Sequence, residues 1–325
     1  MAVAATAAFE KWRRVVSGIT VCPRLRVCGS FIFLKSPHYI LKEMTKKIVL
    51  TFLGAIMLLD AAPPKILVHG HRGARTVRPE NTLPAFEYAI GVGADVLELD
   101  LNVTSDDVLV VAHDPRLNLK ICQGPGGETA IRKLTLEQVR QWDCGSLKNP
   151  EFPKQQPVLG TRIPTLDEVL ALASKGGFEF NIEMKSDPKT PELAPEPRRF
   201  AELVAASIRR HKLEKRVMVQ SFDFRTLHAL KAIAPEIRMS ALYGGLPKDL
   251  VNLAKEAGGT PIVSPHHMLV TEGKVKKAHA AGIQVVPWTA NTEGVWKRLI
   301  DDGVDAIITD DPGALIEYLK AKGLR

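Results

Sequence analysis

The body of this chain lacks any marked excess of basic residues. The net charge is +8, yet residues 1–62 alone hold nine Lys/Arg against three Asp/Glu. The rest of the 325-residue sequence carries 35 basic and 33 acidic side chains, so its body is nearly neutral. That balance gives no case for a nucleic-acid partner. An apolar run of membrane-spanning length is also missing: Ile48 to Leu59 covers about twelve residues, where about twenty are needed. No internal repeat is evident. Of four cysteines, two sit in the leader, which leaves Cys122 and Cys144. Bonded, they would close a loop of about 22 residues, worth about 3 kcal/mol; two free thiols are the other reading.

Residues 1–43 contain arginine, few acids and no clear periodicity. They read as a disordered extension, either an organellar transit segment or an over-long start with Met44 as the true one. From Met44 the order is two lysines, an apolar run and then small residues, which is the order of a secretory signal. Asp60 spoils an Ala-x-Ala cleavage site and Pro63 would follow the cut poorly, so an uncleaved anchor is the alternative for residues 44–62. Export to the periplasm or medium is the expected localisation, and the membrane enters only through this leader.

From Lys65 to the C-terminus, short apolar runs alternate with helix-like segments, as parallel βα units do. The strands read KILVHGH, DVLELDLN, FEFNIEMK, RVMVQSF, RMSALYG, PIVSPHH, QVVPWTAN and DAIITD. Eight strands with helices between them predict an α/β fold, a (β/α)8 TIM barrel over residues 63–325. The first helix should begin at Asn81-Thr82, with Pro84 in its first turn and an apolar face of Leu83, Phe86 and Ile90. After the second strand comes a further extended run, VLVVAH. Residues 115–162 break the alternation; rich in Pro, Gly and Asn, they read as an insertion over the barrel mouth, with one helical piece around Leu134–Trp142.

The polar residues fall at one end of the strands. Leu97, Leu99 and Leu101 alternate with Glu98 and Asp100, so leucines that face the helices put both carboxylates inside the mouth. Phe180, Ile182 and Met184 do the same for Asn181, Glu183 and Lys185. Three inward carboxylates on adjacent strands repel one another unless neutralised, and a cation is the natural answer. All-oxygen ligands favour one hard divalent ion, Mg2+ or Ca2+; a salt-bridge layer with Lys185 and Arg72 is the competing reading. His71 and His113 titrate near neutrality and suit an acid–base pair, and Arg72 suits bidentate contact with phosphate. His69, one layer deeper, reads as a packed core residue. Glu80 and Asn81 read equally as shapers of the helix start or as supports of the metal site. Trp288 reads as barrel-lid packing or, preferably, as an apolar wall for a substrate's alcohol part. Gln220-Ser221-Phe222 is a weaker candidate, and His266-His267 has no acidic partner in the sequence nearby.

The motifs HRG, PENT, ELDLNVTSDDVLVVAHD, EMK and PWTAN, in this order and spacing, resemble the glycerophosphodiester phosphodiesterase family. The resemblance runs from about Lys65 to the end of the chain. It implies His71 and His113 as acid and base, Glu98, Asp100 and Glu183 as metal ligands, and Arg72 and Lys185 as phosphate contacts. It further implies hydrolysis of a small-molecule glycerophosphodiester to glycerol 3-phosphate and an alcohol; the oligomeric state stays open. A lysophospholipase D-like or other lipid-headgroup diesterase on the same barrel is the alternative.

Overall fold

The computed structural model describes residues 65–325; the expectations for residues 1–43 and 44–62 lie outside them. A nine-stranded sheet forms the centre. Its barrel strands are β1 (Leu67–Gly70), β2 (Val96–Val103), β4 (Glu179–Met184), β5 (Val217–Ser221), β6 (Arg238–Tyr243), β7 (Ile262–Pro265), β8 (Gln284–Val285) and β9 (Ala306–Thr309). All are parallel, in the order β8-β7-β6-β5-β4-β2-β1-β9. The extended run after β2 forms β3 (Leu109–Val111), which pairs antiparallel with β2 and stands outside the barrel order.

The seventh expected strand is much shorter than QVVPWTAN, because Pro287 has no N–H to give to a ladder. Closure continues by single bonds between the segment from β8 onward and β9 with its approach: Asp305 N to Val285 O, Ile308 N to Pro287 O, and Ala290 N to Ile308 O. The (β/α)8 barrel is thus nearly closed, with its last seam irregular.

Alternation along the strands separates two cores. Val68, Leu97, Leu99, Leu101, Phe180, Ile182 and Met184 pack outward against the helices. A smaller cluster of Met218, Ile262, Val286, Ala306 and Ile308, with Leu67 and Trp288 at its edge, fills the barrel interior. Burying each large side chain of this kind contributes about 1.5–3 kcal/mol.

Helix α1 (Leu83–Val92) begins as the sequence implies, with Thr82 accepting from Ala85 N and Pro84 in the first turn. Its buried face differs, however: Ala85, Phe86 and Ala89 are covered, while Leu83 and Ile90 lie at the edge. The reason is close approach. A Cβ on Gly73 would meet Ala85 C at 2.7 Å, and one on Gly70 would lie 3.3 Å from Ala89 Cβ. Only small side chains fit between the helix and the turn beneath it.

The insertion has its own small core of Leu117, Cys122, Ile131, Leu134, Val139, Trp142, Cys144 and Ile163 with Val110 of β3. Its helical piece is a single turn, α2 (Leu136–Val139), preceded by a 3-10 turn. Cys122 and Cys144 are joined as a disulfide. Gln155 donates to the Arg75 and Arg78 carbonyls, and Gln156 N to Val77 O, docking the insertion on the loop after β1. No helix among the described residues is long and apolar enough to cross a membrane.

Candidate active site

The turn after β1 is tight. Arg72 has φ 50° and Gly73 φ 84°, and Arg72 N donates to Glu98 Oε2 at 2.8 Å. A non-glycine residue in the left-handed region is uncommon and persists where its surroundings hold it there. The twist turns the Arg72 side chain back over the mouth, where its guanidinium binds Glu80 Oε1 at 2.6 Å and lies 3.2 Å from Asp100 Oδ2. Asn81, also left-handed at φ 56°, donates to Asp100 Oδ2 at 2.9 Å. Glu80 and Asn81 therefore hold Arg72 and Asp100 in place.

Strand register sets the carboxylates. Asp100 of β2 stands directly opposite Glu183 of β4, and Glu98 opposite Asn181. One oxygen each from Glu98, Asp100 and Glu183 lies within 4.8 Å of the others, and all three residues are buried. Lys185 Nζ bridges Asp100 at 3.1 Å and Glu183 at 2.8 Å.

The salt-bridge reading accounts for only part of this layer. Within 4.0 Å, Glu98 has a single cationic candidate, His71 Nε2 at 4.0 Å, and its other contacts are Arg72 N and Gln220 Nε2. Burial first, then the charges of Asp100 and Glu183, hold the Glu98 carboxyl well above the ordinary range. Burial likewise raises Glu183, with Asp100 adding to it against the pull of Lys185. Burial would also raise Asp100, but Lys185 and Arg72 hold it well below its usual value. Its buried Oδ1 makes no well-aligned hydrogen bond, and the Lys185 ammonium lies 3.1 Å from it. Three converging buried carboxylates, only partly neutralised by Lys185 and Arg72, fit a hard divalent cation, which needs oxygen ligands and removes the mutual repulsion.

His71 Nδ1 lies 2.5 Å from Asp310 Oδ1 at the end of β9. Asp310 is held in turn by Asn291 Nδ2 at 2.6 Å, and Arg75 Nε lies 3.9 Å from it. Burial lowers the His71 pKa even though Asp310 raises it, so the ring is neutral near pH 7 with Nε2 turned toward the carboxylates. His113 comes from the end of β3. Asn102 brackets it by donating to Ala112 O and Asp114 O, and its Nδ1 lies 2.7 Å from Asp114 Oδ1.

A cavity of about 280 Å3 collects His71, Arg72, Glu98, His113, Glu183, Lys185 and Trp288 in one lining. A second, of about 470 Å3, opens beside it and shares His113, Glu183, Lys185 and Phe222. Trp288 donates from Nε1 to Ser264 O and meets Phe222 edge-on at 5.4 Å. The candidate residues are thus gathered at one mouth, with Asp100, Glu80 and Asn81 immediately behind the lining. His69 is fully buried in the barrel interior, below the cavity. His266 and His267 stack at 4.5 Å, outside the cavity's lining.

Sequence reasoning missed Asp310, Asn291 and Arg75. Asp310 follows the strand DAIITD, so the rule that picked out Glu98 and Glu183 applied to it as well. Asn291 was visible within PWTAN. Arg75 had no signal, since its place depends on the fold of the turn.

Barrel geometry, an acidic cation site and two histidines at the C-terminal mouth define a metal-assisted barrel hydrolase. Comparison with known proteins makes this specific. Residues 71–314 match the glycerophosphoryl diester phosphodiesterase family. A glycerophosphodiester phosphodiesterase of Caldanaerobacter subterraneus is 34 % identical over 261 residues, 80 % of this chain and all of that one. The crystal structure of a protein named as a glycerophosphoryl diester phosphodiesterase from Silicibacter pomeroyi superposes with TM-score 0.75 at 31 % identity, covering 80 % of this chain and 95 % of that one. An Oleispira antarctica phosphodiesterase, solved with the product sn-glycerol-3-phosphate, shares the fold at TM-score 0.68 and 24 % identity over 79 % of this chain and 97 % of its own. The chain belongs to the glycerophosphoryl diester phosphodiesterase family, and its buried carboxylate cluster supports a divalent-cation site.

Proposed function

We propose that this enzyme hydrolyses glycerophosphodiesters to sn-glycerol 3-phosphate and an alcohol, using one Mg2+ or Ca2+ and His71 and His113 as an acid–base pair. The observation that carries the reading is the shared lining: both histidines, Arg72 and Lys185 surround the same cavity as Glu98 and Glu183. A divalent cation held by Glu98, Asp100 and Glu183 would supply Lewis-acid polarisation of the phosphoryl group and neutralise its charge.

The chain's own residues do the rest. Arg72 and Lys185 present fixed positive charge where the phosphoryl oxygens sit, and this stabilises charge that grows in the transition state. Glu80 and Asp100 keep Arg72 aimed, so little reorganisation is needed on binding. Asp310 fixes the His71 tautomer by accepting at Nδ1, which leaves Nε2 free to exchange a proton. Asp114 does the same for His113. One imidazole takes the proton of the attacking hydroxyl or water while the other protonates the departing alkoxide. Trp288 and Phe222 form the apolar wall for the alcohol part, and the adjoining cavity gives that group room.

His71→Ala and His113→Ala test the pair. Each should cut hydrolysis of glycerophosphocholine by about 10^2-fold or more while binding of the diester, measured by calorimetry, survives. Unchanged turnover in either variant would remove that histidine from the proposed pair.

A further inference from the structure

Five large apolar side chains among the described residues are exposed: Leu119, Leu159, Phe222, Leu246 and Met268. Single exposed hydrophobics are ordinary on a protein surface. Their distribution here is not. Phe222, Leu246 and Met268 sit on the loops that leave β5, β6 and β7, which are neighbours in the barrel, and Leu119 and Leu159 sit on the insertion. The loops entering the strands from the opposite end carry none.

The three loop residues sit on loops that border the catalytic cavity. Phe222 and Trp288 both line that cavity, Trp288 lies against Gly244 two residues before Leu246, and His266, two residues before Met268, meets Trp288 edge-on at 5.3 Å. Leu246 is 82 % and Met268 75 % exposed, so they project from the loops and do not line a groove. Projecting tips suit insertion into a soft apolar medium better than they suit enclosing a small ligand.

Charge supports the same occupant. The insertion, residues 115–162, carries eight Lys/Arg against four Asp/Glu, in a body that is otherwise close to neutral. Lys120, beside Leu119, and Lys154, near the loop after β1, are exposed and have no acidic side chain within 4.0 Å. Leu119 with Lys120 beside it, and the basic excess of the insertion, complement an anionic lipid surface.

We propose that the catalytic mouth docks on an anionic phospholipid bilayer, with Leu246 and Met268 entering the lipid and the basic insertion resting on the headgroups. The active-site cavity then opens toward the interface. Docking does not depend on the identity of the substrate, so it stands or falls separately from the reaction.

The test uses the full chain carrying Leu246→Trp, with Lys215→Trp at the opposite end of the barrel as its control. Each is mixed with vesicles of phosphatidylglycerol and phosphatidylcholine brominated on the acyl chains. The emission added by Leu246→Trp should fall by about twofold or more, while that added by Lys215→Trp should not change. Vesicles of brominated phosphatidylcholine alone should quench less, because the insertion then has no anionic partner. Leu246→Trp should hydrolyse a water-soluble diester at the wild-type rate. Equal quenching at the two positions, or none at either, overturns the proposal. So does an emission change at position 246 that follows protein concentration without vesicles, since the patch would then join two copies of the chain.

Discussion

At the scale of single residues, the mouth works by placing opposite, buried charges at fixed distances. Glu183 shows the consequence most simply. Glu183→Gln keeps the shape but removes one negative ligand, so Mg2+ affinity measured by calorimetry and kcat/KM should both fall, the latter by about 10^2-fold or more. Retention of both would take Glu183 out of the cation site. His69 makes a different test, because it takes no part in the proposed chemistry. Burial lowers its pKa from 6.5 to about 3, with the Asp95 charge opposing only in part. Between those two values the unfolded chain binds a proton that the folded chain does not, so stability falls as pH drops through that window. His69→Leu removes this loss, and its Tm should decline less than the wild-type Tm between pH 6.5 and pH 4; parallel declines would contradict the assignment. Most of the mouth was legible in the sequence at this scale, because strand alternation fixes which side chains point inward. Glu98, Asp100, Glu183 and Lys185 could be placed by that rule alone. Arg75 could not, since nothing local says that its guanidinium will lie 4.6 Å above the Phe152 ring and 3.0 Å from Glu80 Oε2.

At the scale of elements, the turn after β1 and helix α1 form one unit in which backbone proximity positions Arg72. Gly73 has φ 84°, and any Cβ there would press on the first turn of α1. Gly73→Ala should cost about 1–3 kcal/mol in urea unfolding and lower kcat more than a surface substitution of equal cost, because Arg72 moves with the turn. A variant as stable and active as wild type would show that the turn is not constrained. The sequence showed where α1 starts but not which face it buries, because apolar size suggested Leu83 and Ile90 where close approach admits Ala85 and Ala89. The β8 strand was read as longer than it is for a related reason: apolar content marks burial, while the missing N–H of Pro287 decides pairing. The insertion was recognisable by its break in periodicity, yet its own core around Trp142 and Ile131 depends on contacts that composition does not encode.

At the scale of the molecule, the insertion and the barrel are coupled, since Gln155 and Asn149 reach the same loop that carries Arg72 and Glu80. The Cys122–Cys144 bond spans 22 positions within that insertion. Cys122→Ala/Cys144→Ala should lose about 3 kcal/mol and expose residues 115–162 to limited proteolysis before the barrel is cut; simultaneous loss of both would show that the bond does not act locally. A disulfide persists in an oxidising compartment. On that ground, and on the order of charges and apolar residues from Met44, we propose that residues 44–62 direct the chain out of the cytoplasm and that residues 63–325 are the working domain. The three buried carboxylates are proposed to hold a divalent cation without which the diester is not cleaved. The most direct test is release of glycerol 3-phosphate from glycerophosphocholine by the full chain, before and after exhaustive EDTA treatment and after return of Mg2+ or Ca2+. We expect EDTA to abolish release and one of the two ions to restore it. Full activity in the metal-free enzyme would contradict the claim.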